Sequence, residues 1–174
     1  MQGHDKGLLP YQGQPLVQHA LRRLRPQVGA LAISANRSLH QYEALAPDVP
    51  VWRDSLPGFH GPLAGWLTGL ERCATPFLAS VPCDSPDFPP DLVQRLAGAL
   101  EAAGCGIAIA RTPGREQPAF ALMRCALAPQ LRLDLAGGER KVLAWVQRRA
   151  HVMVTFADAD AFRNLNTPQD LAGA

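Results

Sequence analysis

The segment PFLASVPCDSP (residues 76–86) decides the reading of this chain. Phe77 to Val81 form a short apolar run flanked by prolines, which fits a buried strand better than a helix. The run stops at Cys83-Asp84-Ser85-Pro86, a turn sequence. A covered strand that releases an aspartate at its carboxyl end is a working unit of an open α/β sheet. In such sheets ligands sit beyond the carboxyl ends of the strands, at a topological switch point.

The same unit recurs on either side. ALAISAN is a second strand candidate, ending at Asn36, and VPVWRD a third, ending at Asp54. Between the strand candidates lie amphipathic stretches. Leu16, Val17, Ala20, Leu21 and Leu24 fall on one helical face behind Pro15, and a short helix is expected over Ser38–Leu45. Helices are also expected from the Gly61-Pro62 junction to about Cys73, from Asp91 to Leu100, and around Ala126–Leu135 and Glu139–Arg149. In the second half CGIAIAR reads as a strand, TPGREQ as a loop, PAFALMR as a strand and HVMVTF as a late strand, with a last helix begun in NLNTPQDL. Strands alternating with helices predict one α/β domain over residues 1–174, its mostly parallel sheet covered on both faces. One late strand is a candidate antiparallel member. Asn36, Asp54 and Asp84 should then converge on one crevice.

Composition narrows the function. A formal net charge of +2 over 174 residues excludes a dominant nucleic-acid footprint. The densest basic run, Arg22, Arg23 and Arg25, reads as a solvated helix end. The four cysteines show neither zinc spacing nor the setting of a disulfide framework. No apolar run reaches membrane-spanning length, and no signal sequence stands at the N-terminus, so a cytoplasmic protein with reduced thiols is expected.

Of the 17 basic side chains only Lys6 and Lys141 are lysines. A compact ammonium suits a single phosphate oxygen, whereas the guanidinium fork suits bidentate contacts. Asp84 can be read as a Mg²⁺ ligand, since that ion takes one or two carboxylates plus phosphates and waters, or as a turn aspartate; Asp54 is equally ambiguous. Gly61, Gly65 and Gly69 recur every four residues, which suits close helix–sheet packing, while free amides at the Gly61-Pro62 junction suit an anion. No serine or cysteine sits in a nucleophile elbow. Cys83, beside Asp84, reads as a packed thiol, His19 as structural or exposed on its helix, and His4 and His60 as local contacts. Chemistry without a protein nucleophile fits phosphoryl or nucleotidyl transfer, where positioning and electrostatics do most of the work.

Taken in order, DKGLLPYQGQPL, ISANR, RDSLPGFHGPLAG, PCDSP, GERKV and NLNTPQDL resemble the molybdenum cofactor guanylyltransferase family, over essentially the whole chain. The resemblance implies a Rossmann-like nucleotidyltransferase fold and the Mg²⁺-assisted reaction of GTP with molybdopterin-bound molybdenum cofactor, giving the guanine dinucleotide form and pyrophosphate. By motif, Lys6 would contact the GTP phosphates. Asn36, Asp54, Gly61 and Pro62 would belong to the GTP site, and Asp84 would ligate Mg²⁺. Arg140, Lys141, Asn164 and Asn166 would face the pterin. Cofactor-delivering and molybdoenzyme-maturation proteins are the implied partners. Family members begin with a hydrophobic strand and a LAGGxGxRMG-type loop just before DKGLL; here Met1-Gln2-Gly3 matches only the tail of that loop. The first strand and main phosphate-binding amides are therefore expected to be absent from this chain, leaving a gap in the sheet. A related nucleotidyltransferase using CTP or making a nucleotide sugar, and a non-catalytic pterin carrier, are the alternatives.

Overall fold

The computed structural model describes residues 5–56, 58, 61–165 and 170. His4, His60, Asn166, the start of the chain and all but Asp170 of the expected last helix lie outside them. After a single 3-10 turn (Lys6–Leu8) the chain makes a small hairpin, β1 (Pro10–Tyr11) and β2 (Gln14–Pro15), that leads directly into α1 (Leu16–Leu24). There follow β3 (Ile33–Ser34), α2 (Leu39–Leu45), β4 (Val51–Trp52) and α3 (Pro62–Arg72). Next come β5 (Phe77–Ser80), α4 (Leu92–Ala102), β6 (Ile107–Thr112), β7 (Arg115–Arg124), α5 (Ala128–Ala136), α6 (Val142–Gln147) and β8 (His151–Thr155).

The α/β class read from the sequence is borne out, but the main sheet is mixed rather than mostly parallel. Its order is β5-β7-β6-β8, with β7 antiparallel to both neighbours and β6 parallel to β8. The reason lies in TPGREQ, expected as a loop. Only Pro113 and Gly114 separate β6 from β7, with Thr112 paired to Arg115. A two-residue link can join only antiparallel strands. Gly114 has φ +75°, as such a tight turn requires. The polar residues Arg115, Glu116 and Gln117 are thus strand, not loop. A second, parallel pair, β3–β4, is not joined to the four-stranded sheet by a ladder among the described residues.

Both faces of the main sheet are covered, as period-2 alternation demands. Ala108 and Ala110 of β6 with Phe120 and Leu122 of β7 face α1 and α4, through Ala20, Leu24, Leu92, Leu96 and Leu100. Ile107, Ile109, Ala121 and Met123 point the other way, onto Leu63, Trp66, Leu67 and Leu70 of α3, Leu131 and Leu135 of α5, and Trp145 and Val146 of α6. Each fully buried large side chain of this kind contributes about 1.5–3 kcal/mol. A smaller cluster of Val17, Ile33, Tyr42, Ala46 and Val49 ties β3 and α2 to α1. Among the described residues no helix is long and apolar enough to cross a membrane.

Candidate active site

Lys6 opens the 3-10 turn, closed by the Leu8 amide on the Asp5 carbonyl at 3.0 Å and the Leu9 amide on the Lys6 carbonyl at 3.1 Å. Asp84 follows β5 in the turn that the PCDSP sequence dictates, and is 8% exposed. The Lys6 ammonium lies 3.3 Å from Asp84 Oδ2, with side-chain exposures of 47% for the lysine and 11% for the aspartate. Asn164 Nδ2 donates to the same oxygen at 3.4 Å, Ser85 Oγ donates to Asn164 Oδ1 at 3.0 Å, and the Leu165 amide donates to the Asp84 carbonyl at 2.7 Å. A carboxylate this buried needs a partner charge and hydrogen bonds, and it has both. The half-exposed ammonium can meet an anion approaching from solvent.

A second cluster joins the ends of β3 and β4. Asn36 Nδ2 donates to Asp54 Oδ2 at 2.8 Å, and the Asp54 amide donates back to Asn36 Oδ1 at 2.9 Å. The reciprocal pair fixes both strand ends. α3 closes it from below. A Cβ on Gly65 would lie 3.0 Å from Ser34 Oγ and 3.8 Å from Asp54 Oδ1, so the helix approaches here because the side chain is missing. The next residue is held as well: the Ser55 amide donates to buried Thr68 Oγ1 at 2.8 Å, and Ser55 Oγ to Glu71 Oε2 at 3.1 Å. Arg37, next to Asn36 in sequence, reaches Asp5 Oδ2 at 3.6 Å and so links this cluster to the Lys6 turn.

The third group is the GERKV segment. Gly61 precedes α3 with φ +71° and ψ −164°, a conformation essentially confined to glycine, and its open Cα faces the Arg140 carbonyl. Pro62 starts the helix at a position where its missing N–H is harmless. Glu139 accepts the amides of Arg140 and Lys141, both at 2.8 Å, and pairs with Arg148. Those contacts, the Lys141 amide first, then Arg148 and the Arg140 amide, hold its carboxyl down at about 2.

The expected residues therefore fall into three connected groups. Asn36 joins Asp54, Lys6 joins Asp84, and Gly61 approaches Arg140. Asn164, expected on the pterin side with Arg140 and Lys141, instead touches Asp84. Asp5, Arg37, Tyr42, Ser85 and Thr68 were missed by sequence reasoning. Their roles rest on contacts made by chain segments distant in sequence, and only the small residue in Asp5-Lys6-Gly7 hints at a close approach. Burial first, then the charges of Asp84 and Asp5, push the Cys83 thiol up to about 12, so it is a packed group and no nucleophile. Among the described residues no group of three or more histidines, cysteines and carboxylates could hold a metal. A carboxylate outside any such group suits a cation that arrives with phosphates, because Mg²⁺ keeps most of its shell as water and substrate oxygens.

The mixed sheet covered on both faces, with carboxylates and a lysine at its strand ends, fits a nucleotidyltransferase. Residues 1–152 match the model of the MobA-like NTP transferase domain. The molybdenum cofactor guanylyltransferase of Bordetella petrii is 53% identical over 98% of this chain and 88% of its own length. That of Methylibium petroleiphilum is 50% identical over 98% and 87%. This chain belongs to the molybdenum cofactor guanylyltransferase family. In fold it is similar to molybdopterin-guanine dinucleotide biosynthesis protein A of Archaeoglobus fulgidus, with TM-score 0.79 and 23% identity over 98% of this chain and 89% of the other. It also resembles the 2-C-methyl-D-erythritol 4-phosphate cytidylyltransferase of Thermus thermophilus, with TM-score 0.75 and 18% identity over 97% and 91%.

Proposed function

We propose that this chain transfers GMP from GTP to the terminal phosphate of molybdopterin-bound molybdenum cofactor, at the cluster of Lys6, Asp84 and Asn164. A phosphate oxygen of the pterin attacks the α-phosphorus of GTP. The bond from that phosphorus to the bridging oxygen breaks, and pyrophosphate leaves with the electron pair. The nucleophile belongs to the substrate, which agrees with the absence of an activated serine or cysteine among the described residues. The observation that carries the reading is the Lys6–Asp84 contact, a solvent-reachable ammonium held by a buried carboxylate at the end of a strand.

Each residue then has a task. Lys6 neutralises charge that builds on the phosphates, an effect worth most where it is preorganised. Asn36 and Asp54 form the polar wall on which the nucleotide rests, and Gly61 and Pro62 let it approach the start of α3. Arg140 and Lys141 present cations to the pterin side. Asp84 is the residue that would hold Mg²⁺. Lys6 and Asn164 both contact its Oδ2 and would hold the carboxylate in place beside the ion. When bound, the ion would add positive charge against the α-phosphate. Asn166, in the same motif as Asn164, is assigned to the pterin side by resemblance. The setting is cytoplasmic, and cofactor-delivering and molybdoenzyme-maturation proteins are the corresponding partners.

The test is a pyrophosphate-release assay on the full-length protein with molybdopterin-bound molybdenum cofactor, offering GTP, CTP and sugar phosphates in parallel. Release that requires GTP and Mg²⁺ and yields the guanine dinucleotide supports the reading. Preference for CTP or a sugar phosphate, or pterin binding with no GTP binding by calorimetry, would replace it with one of the alternatives.

A further inference from the structure

The triplet Asp5-Lys6-Gly7 is built around a side chain from elsewhere in the chain. Tyr42, on α2, is 3% exposed, and its hydroxyl donates to Asp5 Oδ1 at 2.6 Å. The other carboxylate oxygen of Asp5 faces Arg37 at 3.6 Å. Gly7 is buried on the same spot. A Cβ added there would lie 2.6 Å from Tyr42 Oη and 3.3 Å from Cys83 Sγ. Tyr42 thus occupies the space that any side chain at position 7 would need, while its hydroxyl grips position 5. The residue between them is Lys6, whose ammonium reaches Asp84.

We infer that Tyr42 is a positioning residue for Lys6: its hydroxyl on Asp5 and its ring edge under Gly7 fix the one-turn helix from which the lysine extends to Asp84 and the phosphates. The inference rests on the reading of Lys6 as a phosphate contact. A two-point grip is required because a single 3-10 turn has too few internal hydrogen bonds to hold its own geometry. Asp5 serves as an acceptor on a fixed backbone. Burial, the hydrogen bond to Asp5 and the Asp5 charge all raise the tyrosine pKa, so the phenol stays protonated and donating at working pH.

A double-mutant cycle on the full-length protein tests this, with guanylyl transfer from GTP to molybdopterin-bound cofactor as the reaction. Tyr42→Phe keeps the ring and removes only the donor. It should lower kcat about tenfold or more, with little change in KM for GTP, because displacement of a group that acts on developing charge is felt in the transition state. In the Lys6→Ala background the same change should have little further effect. Asp5→Asn keeps an acceptor for the phenol and should retain most activity, whereas Asp5→Ala and Gly7→Ala should each reproduce the loss. Circular dichroism of every variant confirms the fold, and Asp5→Asn against Asp5→Ala alone decides the matter if Tyr42→Phe does not fold. If Tyr42→Phe lowers kcat equally in both backgrounds, or leaves it unchanged, the positioning role is wrong while Lys6 stands. If Lys6→Ala itself is without effect, the phosphate-contact reading falls and the positioning role falls with it.

Discussion

Lys6 stands out in the sequence as a candidate because arginine is the default cation of this chain, and Asp84 because it follows a buried strand directly. What neither position discloses is that the two side chains meet, 78 residues apart in sequence. The contact of Asn164 with Asp84 was hidden for the same reason, and its motif pointed instead to the pterin side. Lys6→Ala is expected to lower kcat/KM about 10²–10³-fold, the range for losing one preorganised electrostatic contact. Asn164→Ala should cost about 1–3 kcal/mol, because buried Ser85 loses its acceptor and Asp84 a donor. Loss of that donor should also raise the Mg²⁺ concentration needed for half-maximal rate several-fold. Activity titrated with Mg²⁺ at saturating GTP measures this, and an unchanged midpoint removes Asn164 from the site.

At the scale of elements, strands were found where the apolar runs predicted them, and the ends of β3 and β4 meet. The pairing of Asn36 with Asp54 joins them. The element that escaped was the first third of β7. Arg115, Glu116 and Gln117 look like loop by composition, and become strand because Pro113-Gly114 folds the chain straight back along β6. Register imposed by a tight turn outweighs local polarity. The GERKV turn yields a pH prediction. Glu139 sits at about 2, below the ordinary glutamate value, so its hold is complete above roughly pH 4.5 and is lost as pH falls through about 2. The Arg140 and Lys141 amide resonances should therefore titrate with a midpoint near 2. A midpoint near 4.5 would mean that the carboxylate does not accept those amides.

Across the whole molecule the core on the α1–α4 face of the sheet reaches the site through Phe162. Phe120 of β7 is 1% exposed and packs edge-on against Phe162 at 4.8 Å between ring centroids. Phe162 lies two residues before Asn164, so the core fixes the segment that touches Asp84. Phe120→Ala should cost about 3–5 kcal/mol in urea unfolding. If residues 1–174 act as one domain, that loss should appear in a single transition seen alike by fluorescence and circular dichroism. Two separated transitions would instead assign β3–β4 with α2 to an independent unit.

The central claim is chemistry at the Lys6–Asp84 pair. It is tested most directly by incubating the full-length protein with molybdopterin-bound cofactor, Mg²⁺ and GTP labelled at the α-phosphorus, beside its Asp84→Asn variant. The label should enter the guanine dinucleotide in the parent and fall about a hundredfold or more in the variant. Equal transfer by both proteins would contradict the account.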